Sequence, residues 1–295
     1  MWEKVRPWIL AARPKTLPAT VAPVWIGSYL GGLAVADGVD HLLAWSAFLS
    51  ALAIQIATNF FNDALDANKG ADTNRRLGPT RASASGMLAP QAMMRAGLVM
   101  LVVAVLLSIP IVRAHGLPIV VIGLVSMACA YAYTGGPFPL AYRGMGEVFV
   151  IFFFGIVAVA GSMFVQTGRF DSLGVMVGIQ VGLYSAVLIA INNARDRAED
   201  ERSRKFTLAV LFGQTFAELE IAAFCLLPLL LGWIYHLTGA FPWNWAVYPM
   251  WLLPLSVAII WQVWSTPPSR AYNRFLAMSA AQLLGFAVLI TIAGP

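Results

Sequence analysis

Residues 59–72 read Asn-Phe-Phe-Asn-Asp-Ala-Leu-Asp-Ala-Asn-Lys-Gly-Ala-Asp, shortly after an apolar run, residues 42–57, that carries no charged side chain. On an α-helix, Asn59, Asp63 and Asp66 fall at positions i, i+4 and i+7 and therefore point the same way. Carboxylates at the end of a membrane-length helix are costly unless a cation neutralises them. Carboxylate and amide oxygens suit a hard divalent cation, and magnesium in particular shares its coordination shell with substrate phosphates. This stretch, the first Asp motif, therefore predicts an apolar helix with a cation site at its end.

A second acidic stretch, residues 192–200, reads Asn-Asn-Ala-Arg-Asp-Arg-Ala-Glu-Asp and follows another apolar run, residues 181–191. Asn192, Asp196 and Asp200 fall at i, i+4 and i+8 on one helical face. Because Asn and Asp recur at similar spacing on the tips of two apolar helices, we interpret this second Asp motif and the first as two halves of one site. The alternative is that both are solvated helix ends, with Asn and Asp acting only as caps.

The composition indicates a polytopic membrane protein. Of 295 residues, 59% are apolar and 11% are charged, against about 25% charged in an ordinary soluble domain. At about 20 apolar residues a span, the sequence predicts about nine transmembrane helices. They cover approximately residues 17–36, 42–62, 92–112, 117–134, 147–166, 173–193, 215–237, 246–265 and 275–293. Such long apolar runs favour helices over the short alternating strands of a barrel.

The distribution of charge predicts the orientation in the membrane. The net charge is +5, and 17 of the 19 Lys and Arg residues fall on one side of the predicted spans, with only Arg113 and Arg169 on the other. By the positive-inside rule, the N-terminus and both Asp motifs face the cytoplasm and the C-terminus faces outside. The basic residues flank apolar spans, so we expect no nucleic-acid partner. Residues 1–15 are amphipathic, with Trp and basic residues, and predict an interfacial segment on the lipid surface.

Two basic positions near the first Asp motif are candidates for binding phosphate. Arg13 lies at the mouth of the first span, where it and Lys15 form either part of the site or an ordinary pair of anchoring residues. The loop over residues 73–86 is rich in small and basic residues, and loops of this length are usually functional or disordered. Its arginines would bind those oxygens of a diphosphate that point away from the aspartates. The alternative for some of them is that they only determine the orientation of the chain in the membrane. Arg81 is the preferred candidate because its small neighbours let a backbone approach closely.

Two further basic positions lie near the second half of the predicted site. Arg143 is the basic residue of a short loop that leads to Glu147. The two residues either form an ion pair at the membrane surface or contact a bound substrate, which would be a diphosphate or the molecule that accepts the transferred group. Lys205 follows Asp200 by five residues, where a lysine would neutralise a leaving diphosphate.

At this point the sequence resembles the UbiA superfamily of intramembrane aromatic prenyltransferases, and within it the branch that prenylates 1,4-dihydroxy-2-naphthoate in menaquinone synthesis. The matching motifs are Arg13-Pro14-Lys15-Thr16-Leu17-Pro18, Asn62-Asp63-x-x-Asp66-x-x-x-Gly70-x-Asp72, Tyr133-Thr134-Gly135-Gly136-Pro137, Gly144-Met145-Gly146-Glu147 and Asn192-Asn193-x-Arg195-Asp196-x-x-x-Asp200. The family's first motif often has Asp where this chain has Gly70. The naphthoate branch resembles this chain in having Gly at that position and Asp two residues later. This chain has Arg204 where family members commonly have Gly before the lysine. A different backbone conformation at that position would change how far the Lys205 side chain reaches into the site.

The resemblance implies an all-α bundle of nine transmembrane helices around a central cavity, in a single domain over residues 1–295. It implies a cytoplasmic cap, which we assign to the loops 67–91 and 197–212, and a bacterial cytoplasmic (inner) membrane location. The implied cofactor is Mg²⁺, held by the catalytic and metal-binding aspartates Asp63, Asp66, Asp196 and Asp200. The implied substrates are a polyprenyl diphosphate and 1,4-dihydroxy-2-naphthoate, which would lose carbon dioxide and give demethylmenaquinone. The substrate-binding residues would be Arg13, Asn59, Asn62, Asp72, Arg81, Tyr133, Arg143, Asn192, Asn193, Arg195 and Lys205.

Two other functions stay open from the sequence. Prenylation of another aromatic acid, such as 4-hydroxybenzoate, would use the same motifs. A cation-coupled transporter is the alternative of a different class, because intramembrane acidic pairs and internal duplication also mark transporters. Against the transporter, the aspartates fall at helix ends with basic residues around them, and not at the middle of the membrane.

Overall fold

The structure is a computed structural model that describes residues 2–70 and 77–294. Within those ranges the chain is helical and forms no strand, apart from one isolated bridge between Arg143 and Phe206. The helices are α1 (Trp2–Ala12), α2 (Pro18–Leu33), α3 (His41–Asn68), α4 (Pro90–Leu107), α5 (Ile109–His115), α6 (Leu117–Ala132), α7 (Gly146–Thr167), α8 (Ser172–Arg202), α9 (Leu208–Phe212), α10 (Gln214–Leu237), α11 (Trp243–Ser265) and α12 (Tyr272–Ala293).

Seven helices in the described ranges are long and apolar enough to cross a membrane: α3, α4, α7, α8, α10, α11 and α12. This confirms the predicted class, an all-α polytopic membrane protein. Two of the nine predicted spans, 17–36 and 117–134, form the helices α2 and α6, each of 16 residues. Such a helix is about 24 Å long, which is short of the ~30 Å hydrocarbon core. The count of nine spans and the orientation of the termini therefore stay predictions.

The two helices that carry the Asp motifs begin in the same way. The Asp40 side chain accepts a hydrogen bond from Leu43 N at 3.0 Å and caps α3, and the Asp171 side chain accepts one from Leu173 N at 2.8 Å and caps α8. A side-chain acceptor at this position satisfies an otherwise unpaired backbone donor. Both helices then run on beyond membrane length, for 28 and 31 residues, and carry their motifs at the opposite end.

Helix α8 forms the centre of the bundle. In its most apolar window 78% of the residues are buried, against 17% in α4. The backbone of α7 approaches it so closely that a Cβ on Gly155 would lie 2.3 Å from the carbonyl oxygen of Gly178 and 2.6 Å from Cα of Gly182. The contact falls within a π-helical turn over Ile151–Val157. Small residues of this kind let helices pack tightly in lipid, where hydrophobic attraction between helices is absent.

The amino-terminal segment is attached to α3. The Trp8 ring packs edge-on against Phe60 with centroids 5.9 Å apart, and Ala11 is buried in the same cluster. Arg13 then ends the segment in a left-handed conformation with φ 52°, and its carbonyl oxygen accepts hydrogen bonds from Thr16 N and Oγ1 at 2.9 and 3.0 Å. This turn brings the start of α2 beside the end of α3 that carries the first Asp motif.

Candidate functional site

One large cavity, of about 970 Å³, reaches both Asp motifs. It runs along α3 from Ala47 to Asp66, a length of about 28 Å. Eleven of the residues proposed from the sequence line it: Arg13, Asn59, Asn62, Asp66, Arg81, Tyr133, Asn192, Asn193, Arg195, Asp196 and Lys205. Asp63, Asp200 and Arg143 do not line it, and Asp72 lies outside the described residues. The two motifs, far apart in sequence, therefore face the same cavity.

Asp63 is fully buried beside the loop that carries Arg81. Its carboxylate oxygens accept hydrogen bonds from the backbone N–H groups of Ala82 and Ser83, at 3.1 and 2.8 Å. The carboxylate thereby fixes the backbone that directly follows Arg81. The first Asp motif thus positions an arginine at the cavity wall, in addition to presenting oxygens of its own.

The residues on either side of Asp63 hold the loop between α6 and α7. Asn62 Oδ1 accepts a short hydrogen bond from the Thr134 hydroxyl, and Asp66 Oδ1 accepts one from Tyr142 Oη at 2.8 Å. Lys69 Nζ donates to the Thr134 carbonyl oxygen at 2.6 Å and lies 4.1 Å from the centroid of the Tyr142 ring. Burial lowers the pKa of Lys69, and the Asp66 carboxylate opposes that effect.

The second Asp motif is neutralised by cations of its own segment. Arg195 makes two hydrogen bonds to Asp196, Nε to Oδ1 at 2.8 Å and Nη2 to Oδ2 at 2.7 Å. Lys205 Nζ lies 3.3 Å from Asp200 Oδ1. Because both carboxylates are buried, such partners are required for them to stay ionised. The motif is therefore built as a charge-balanced cluster in which both cations line the cavity.

Arg204 takes the backbone shape that a glycine would take. Its φ is 55°, in the left-handed region, and the next residue, Lys205, donates its N–H to the carbonyl oxygen of Asp200 at 2.8 Å. Only glycine adopts this region without steric cost. The departure from the glycine common in the family therefore leaves the turn intact and Lys205 at the cavity.

A contact from the last helix joins the second Asp motif to the loop that follows the first. Arg195 Nη1 donates to Asn273 Oδ1 at 2.8 Å, and Asn273 Nδ2 donates to the carbonyl oxygen of Leu77 at 3.2 Å. Asn273 lies near the start of α12 and lines the cavity. The amide thus holds Arg195 in place from a helix that the sequence alone did not connect with the site.

Arg143 and Glu147 do not form the ion pair that the sequence left open. The Arg143 side chain is exposed, and its guanidinium lies 3.9 Å from the centroid of the Phe138 ring. Glu147 is buried and lines the cavity, where its Oε1 accepts a hydrogen bond from Asn193 Nδ2 at 2.6 Å. The acidic partner, not the basic one, therefore belongs to the cavity.

Tyr133 lies beside this carboxylate. Its hydroxyl lies against Gly146, where an added Cβ would sit 3.2 Å from it. A phenol keeps its proton at neutral pH, so the Tyr133 hydroxyl can act as a hydrogen-bond donor.

The donor set suits a hard divalent cation in part. Two carboxylates, Asp66 and Asp196, line the cavity together with the amide groups of Asn59, Asn62 and Asn192. The Asn59 amide is oriented by a hydrogen bond from its Nδ2 to the carbonyl oxygen of Ala12 at 2.9 Å. No group of three or more His, Cys, Asp or Glu side chains in residues 2–70 and 77–294 is arranged to hold a metal. The residues fit an ion that takes oxygen ligands and completes its shell with phosphate and water, as Mg²⁺ does.

The rest of the cavity is mostly apolar. Its walls continue from the Asp motifs to Val165 and Arg113, past side chains such as Ile54, Phe149 and Phe153. A polar end that leads into a long apolar space suits an amphiphile with a phosphorylated head and a hydrocarbon tail.

The site also contains residues that sequence reasoning missed. Thr134 and Tyr142 bind the first Asp motif from the α6–α7 loop, and Asn273 binds Arg195 from α12. Asn273 could have been found from the sequence, because it is a polar amide near the predicted start of an apolar span. Thr134 belongs to one of the resembling motifs and Tyr142 lies shortly before another, but no spacing rule linked either residue with α3.

Comparison with known proteins agrees with this geometry. Residues 21–286 match the sequence pattern of the UbiA prenyltransferase family. The chain is 31% identical to a 1,4-dihydroxy-2-naphthoate octaprenyltransferase of Haemophilus influenzae, over 96% of this chain and 94% of that protein. Proteins of the same name are 35% identical in Bacillus subtilis, over 80% of this chain and 76% of theirs, and 34% identical in Escherichia coli, over 72% and 71%.

Solved structures share the fold. A UbiA homolog from Archaeoglobus fulgidus bound to DMAPP and Mg²⁺ superposes with a TM-score of 0.69, over 97% of this chain and 99% of that chain, at 13% identity. The same homolog bound to GPP and Mg²⁺ gives 0.66, over 96% and 99%, at 14% identity. At such identities the likeness extends to the fold alone. The family pattern covers most of the chain and the relatives named above exceed 30% identity over more than two thirds of it, and on these grounds the chain belongs to the UbiA prenyltransferase family.

Proposed function

We propose that this prenyltransferase moves a polyprenyl group from its diphosphate to 1,4-dihydroxy-2-naphthoate, with loss of carbon dioxide, and forms demethylmenaquinone in its quinol state. The observation that carries the proposal is the single cavity, about 28 Å long along α3, with both Asp motifs at one end and mostly apolar walls beyond them. The shared name of the relatives from Haemophilus influenzae, Bacillus subtilis and Escherichia coli supports the acceptor.

The diphosphate would bind at the polar end of the cavity. Arg13, Arg81 and Lys205 line that end and would contact its oxygens, with bidentate geometry where an arginine faces two of them. Arg195, held by Asn273, would face the same oxygens. Together these cations stabilise the negative charge that develops on the diphosphate as the bond to the prenyl carbon breaks.

Magnesium would be held by Asp66 and Asp196 together with amide oxygens of Asn59, Asn62 and Asn192, while Asp63 and Asp200 act behind them on Arg81 and Lys205. When bound, it supplies further positive charge to the departing diphosphate. Asp72 and Arg143 stay assigned to substrate binding only by the family resemblance. This assignment makes the aspartates unequal, with two at the ligand and two supporting the cationic residues.

The apolar walls would bind the rest of the prenyl donor. They take up the isoprenoid chain and exclude water, which would otherwise capture the electrophilic prenyl carbon. The electron-rich ring of the acceptor then attacks this carbon at the position that bears the carboxylate, and carbon dioxide leaves. We further propose that the polar end faces the cytoplasm of a bacterium, because most of the basic residues lie on that side of the predicted spans.

A competition assay tests the proposal. Membranes that contain the protein receive a labelled prenyl diphosphate together with 1,4-dihydroxy-2-naphthoate and 4-hydroxybenzoate, with Mg²⁺ or with a chelator. We expect prenylation of the naphthoate with release of carbon dioxide from its carboxyl group, and none after chelation. Preferential prenylation of 4-hydroxybenzoate would assign the other acceptor, and undiminished turnover with the chelator would remove magnesium from the proposal. Ion uptake without any prenyl transfer would instead favour the transporter.

A further inference from the structure

Glu147 presents one carboxylate oxygen to the cavity without a hydrogen-bond partner. The residue is 2% exposed and lines the cavity. Its Oε1 accepts from Asn193 Nδ2 at 2.6 Å, and no residue in the described part of the chain donates to Oε2. A buried polar atom left without a partner destabilises the folded protein. A position that carries this cost at the wall of a ligand cavity indicates that a ligand supplies the missing donor.

The surroundings define the chemistry of that donor. Glu147 lies in the first turn of α7, and its free oxygen is a hydrogen-bond acceptor at the cavity wall. An anionic oxygen repels a diphosphate, so the donor belongs to a different group of the bound ligands. Tyr133 lies beside it across Gly146, and Asn193 fixes its orientation. The corner formed by Tyr133, Glu147 and Asn193 is therefore built to receive a neutral or acidic O–H group, such as a hydroxyl on an aromatic ring.

We propose that Oε2 of Glu147 is the base that takes the proton from the acceptor hydroxyl next to the carboxylated ring carbon. This inference rests on the proposed function, because it needs an acceptor with such a hydroxyl. The sequence leaves Arg143 and Glu147 either as an ion pair or as a contact to diphosphate or acceptor, and in the structure the Arg143 guanidinium lies over the Phe138 ring instead. A role for Glu147 as a base goes beyond both interpretations.

The step balances in atoms and electrons. The hydroxyl proton moves to Oε2, and its electron pair enters the ring. The ring carbon that bears the carboxylate forms a bond to the prenyl carbon, while the carbon–oxygen bond of the prenyl diphosphate breaks and its electron pair leaves with diphosphate. The bond to the carboxylate then breaks as carbon dioxide, its electron pair returns to the ring oxygen, and Glu147 gives the proton back to that oxygen. The product is the quinol, and no oxidant is required.

The test compares Glu147→Gln with the wild-type protein on two acceptors. The first is 1,4-dihydroxy-2-naphthoate, and the second is the same compound with the hydroxyl next to the carboxylate methylated, which has no proton to give. With the first, we expect kcat to fall at least about a hundredfold, while the KM for the prenyl diphosphate stays within about twofold. With the second, wild type and variant should be equally slow, because there is nothing for the base to remove.

Two variants and a binding measurement control for folding. Glu218→Gln removes a carboxylate outside the cavity that accepts from Gln214 Nε2 at 3.1 Å, and it should keep wild-type kcat. Glu147→Asp should recover part of the rate, since it restores a base one methylene shorter. Binding of geranyl diphosphate to Glu147→Gln in detergent should match that of the wild type, which shows that the variant is folded.

Each outcome decides. The inference is overturned by a kcat of Glu147→Gln within about threefold of wild type, by loss of geranyl diphosphate binding, or by an equal fall with the methylated acceptor. A slower acceptor-free hydrolysis of the prenyl diphosphate in the variant would assign Glu147 to the electrophile, and would also overturn it. If the wild-type protein itself fails to prenylate dihydroxynaphthoate, the proposed function fails first and this inference with it.

Discussion

Arg195 and Asp196 are consecutive residues whose side chains meet in an ion pair with two hydrogen bonds, at 2.8 and 2.7 Å. Neighbours in a helix point about 100° apart, so the guanidinium has to fold back along α8 to reach the carboxylate. Both residues are buried, and the pair neutralises Asp196 within the protein alone. A cation that binds Asp196 would therefore compete with Arg195 for the carboxylate, and a phosphate that binds Arg195 would compete with Asp196 for the guanidinium.

We expect Arg195→Ala to destabilise the protein by about 3–5 kcal/mol, because it removes the guanidinium that makes two hydrogen bonds to the buried Asp196 carboxylate. Added Mg²⁺ should restore part of that loss if the ion binds Asp196. Thermal unfolding in detergent, with Mg²⁺ and with chelator, measures both effects. Arg197→Ala, at a half-buried neighbour that does not line the cavity, should change stability by less than about 1 kcal/mol. An Arg195→Ala protein as stable as wild type would show that the pair carries little weight.

We expect Asp63→Asn to loosen the loop that follows Arg81. An amide cannot accept from both backbone N–H groups of Ala82 and Ser83, so one buried donor loses its partner at about 1–3 kcal/mol. Hydrogen exchange at these two amides should accelerate, and the KM for the prenyl diphosphate should rise. The exposed Asp37 provides the matched control, Asp37→Asn. Unchanged exchange in Asp63→Asn would remove the loop from the role of Asp63.

Asp66→Ala and Asp196→Ala should each lower kcat at least about a hundredfold, because each removes a carboxylate that lines the cavity. Turnover should also stop with chelator and return when Mg²⁺ is added. Steady-state rates on dihydroxynaphthoate measure these effects. Near-normal rates in both variants would exclude a metal site formed by these two residues.

Lys205→Ala should raise the KM for the prenyl diphosphate more than that for the acceptor, because the ammonium lies at the polar end of the cavity beside Asp200. Varying one substrate at a time in steady-state assays separates the two constants. An effect confined to the acceptor would place Lys205 at the ring and not at the diphosphate.

Arg204→Gly should raise stability by up to about 1 kcal/mol, since glycine adopts the left-handed conformation without the cost that arginine bears. Prenyl transfer should stay at the wild-type rate, because the N–H of Lys205 still donates to Asp200. The unfolding temperature and kcat provide the two measurements. A loss of activity would mean that the arginine side chain itself has a function.

The sequence predicted those features that depend on local pattern. The apolar runs located the helices. The spacing of Asn and Asp grouped Asp63 with Asp66 and Asp200 with Asp196, whereas of these four only Asp66 and Asp196 line the cavity. Contacts between distant segments were not predictable, because no periodicity links Asp66 with Tyr142 or Arg195 with Asn273. For the same reason Arg143 and Glu147, close in sequence, suggested an ion pair, whereas the first turn of α7 directs Glu147 to Asn193.

At Gly155 the backbone of α7 lies so close to that of α8 that not even a methyl group would fit between them. Helices packed this closely through small residues form a rigid contact. Helix α4 has only 17% of its apolar window buried, and its carboxyl-terminal end lines the cavity. If the proposed function holds, a lipid-soluble quinol formed between these apolar walls would leave into the bilayer and reach its next enzyme by diffusion in two dimensions, without entering water.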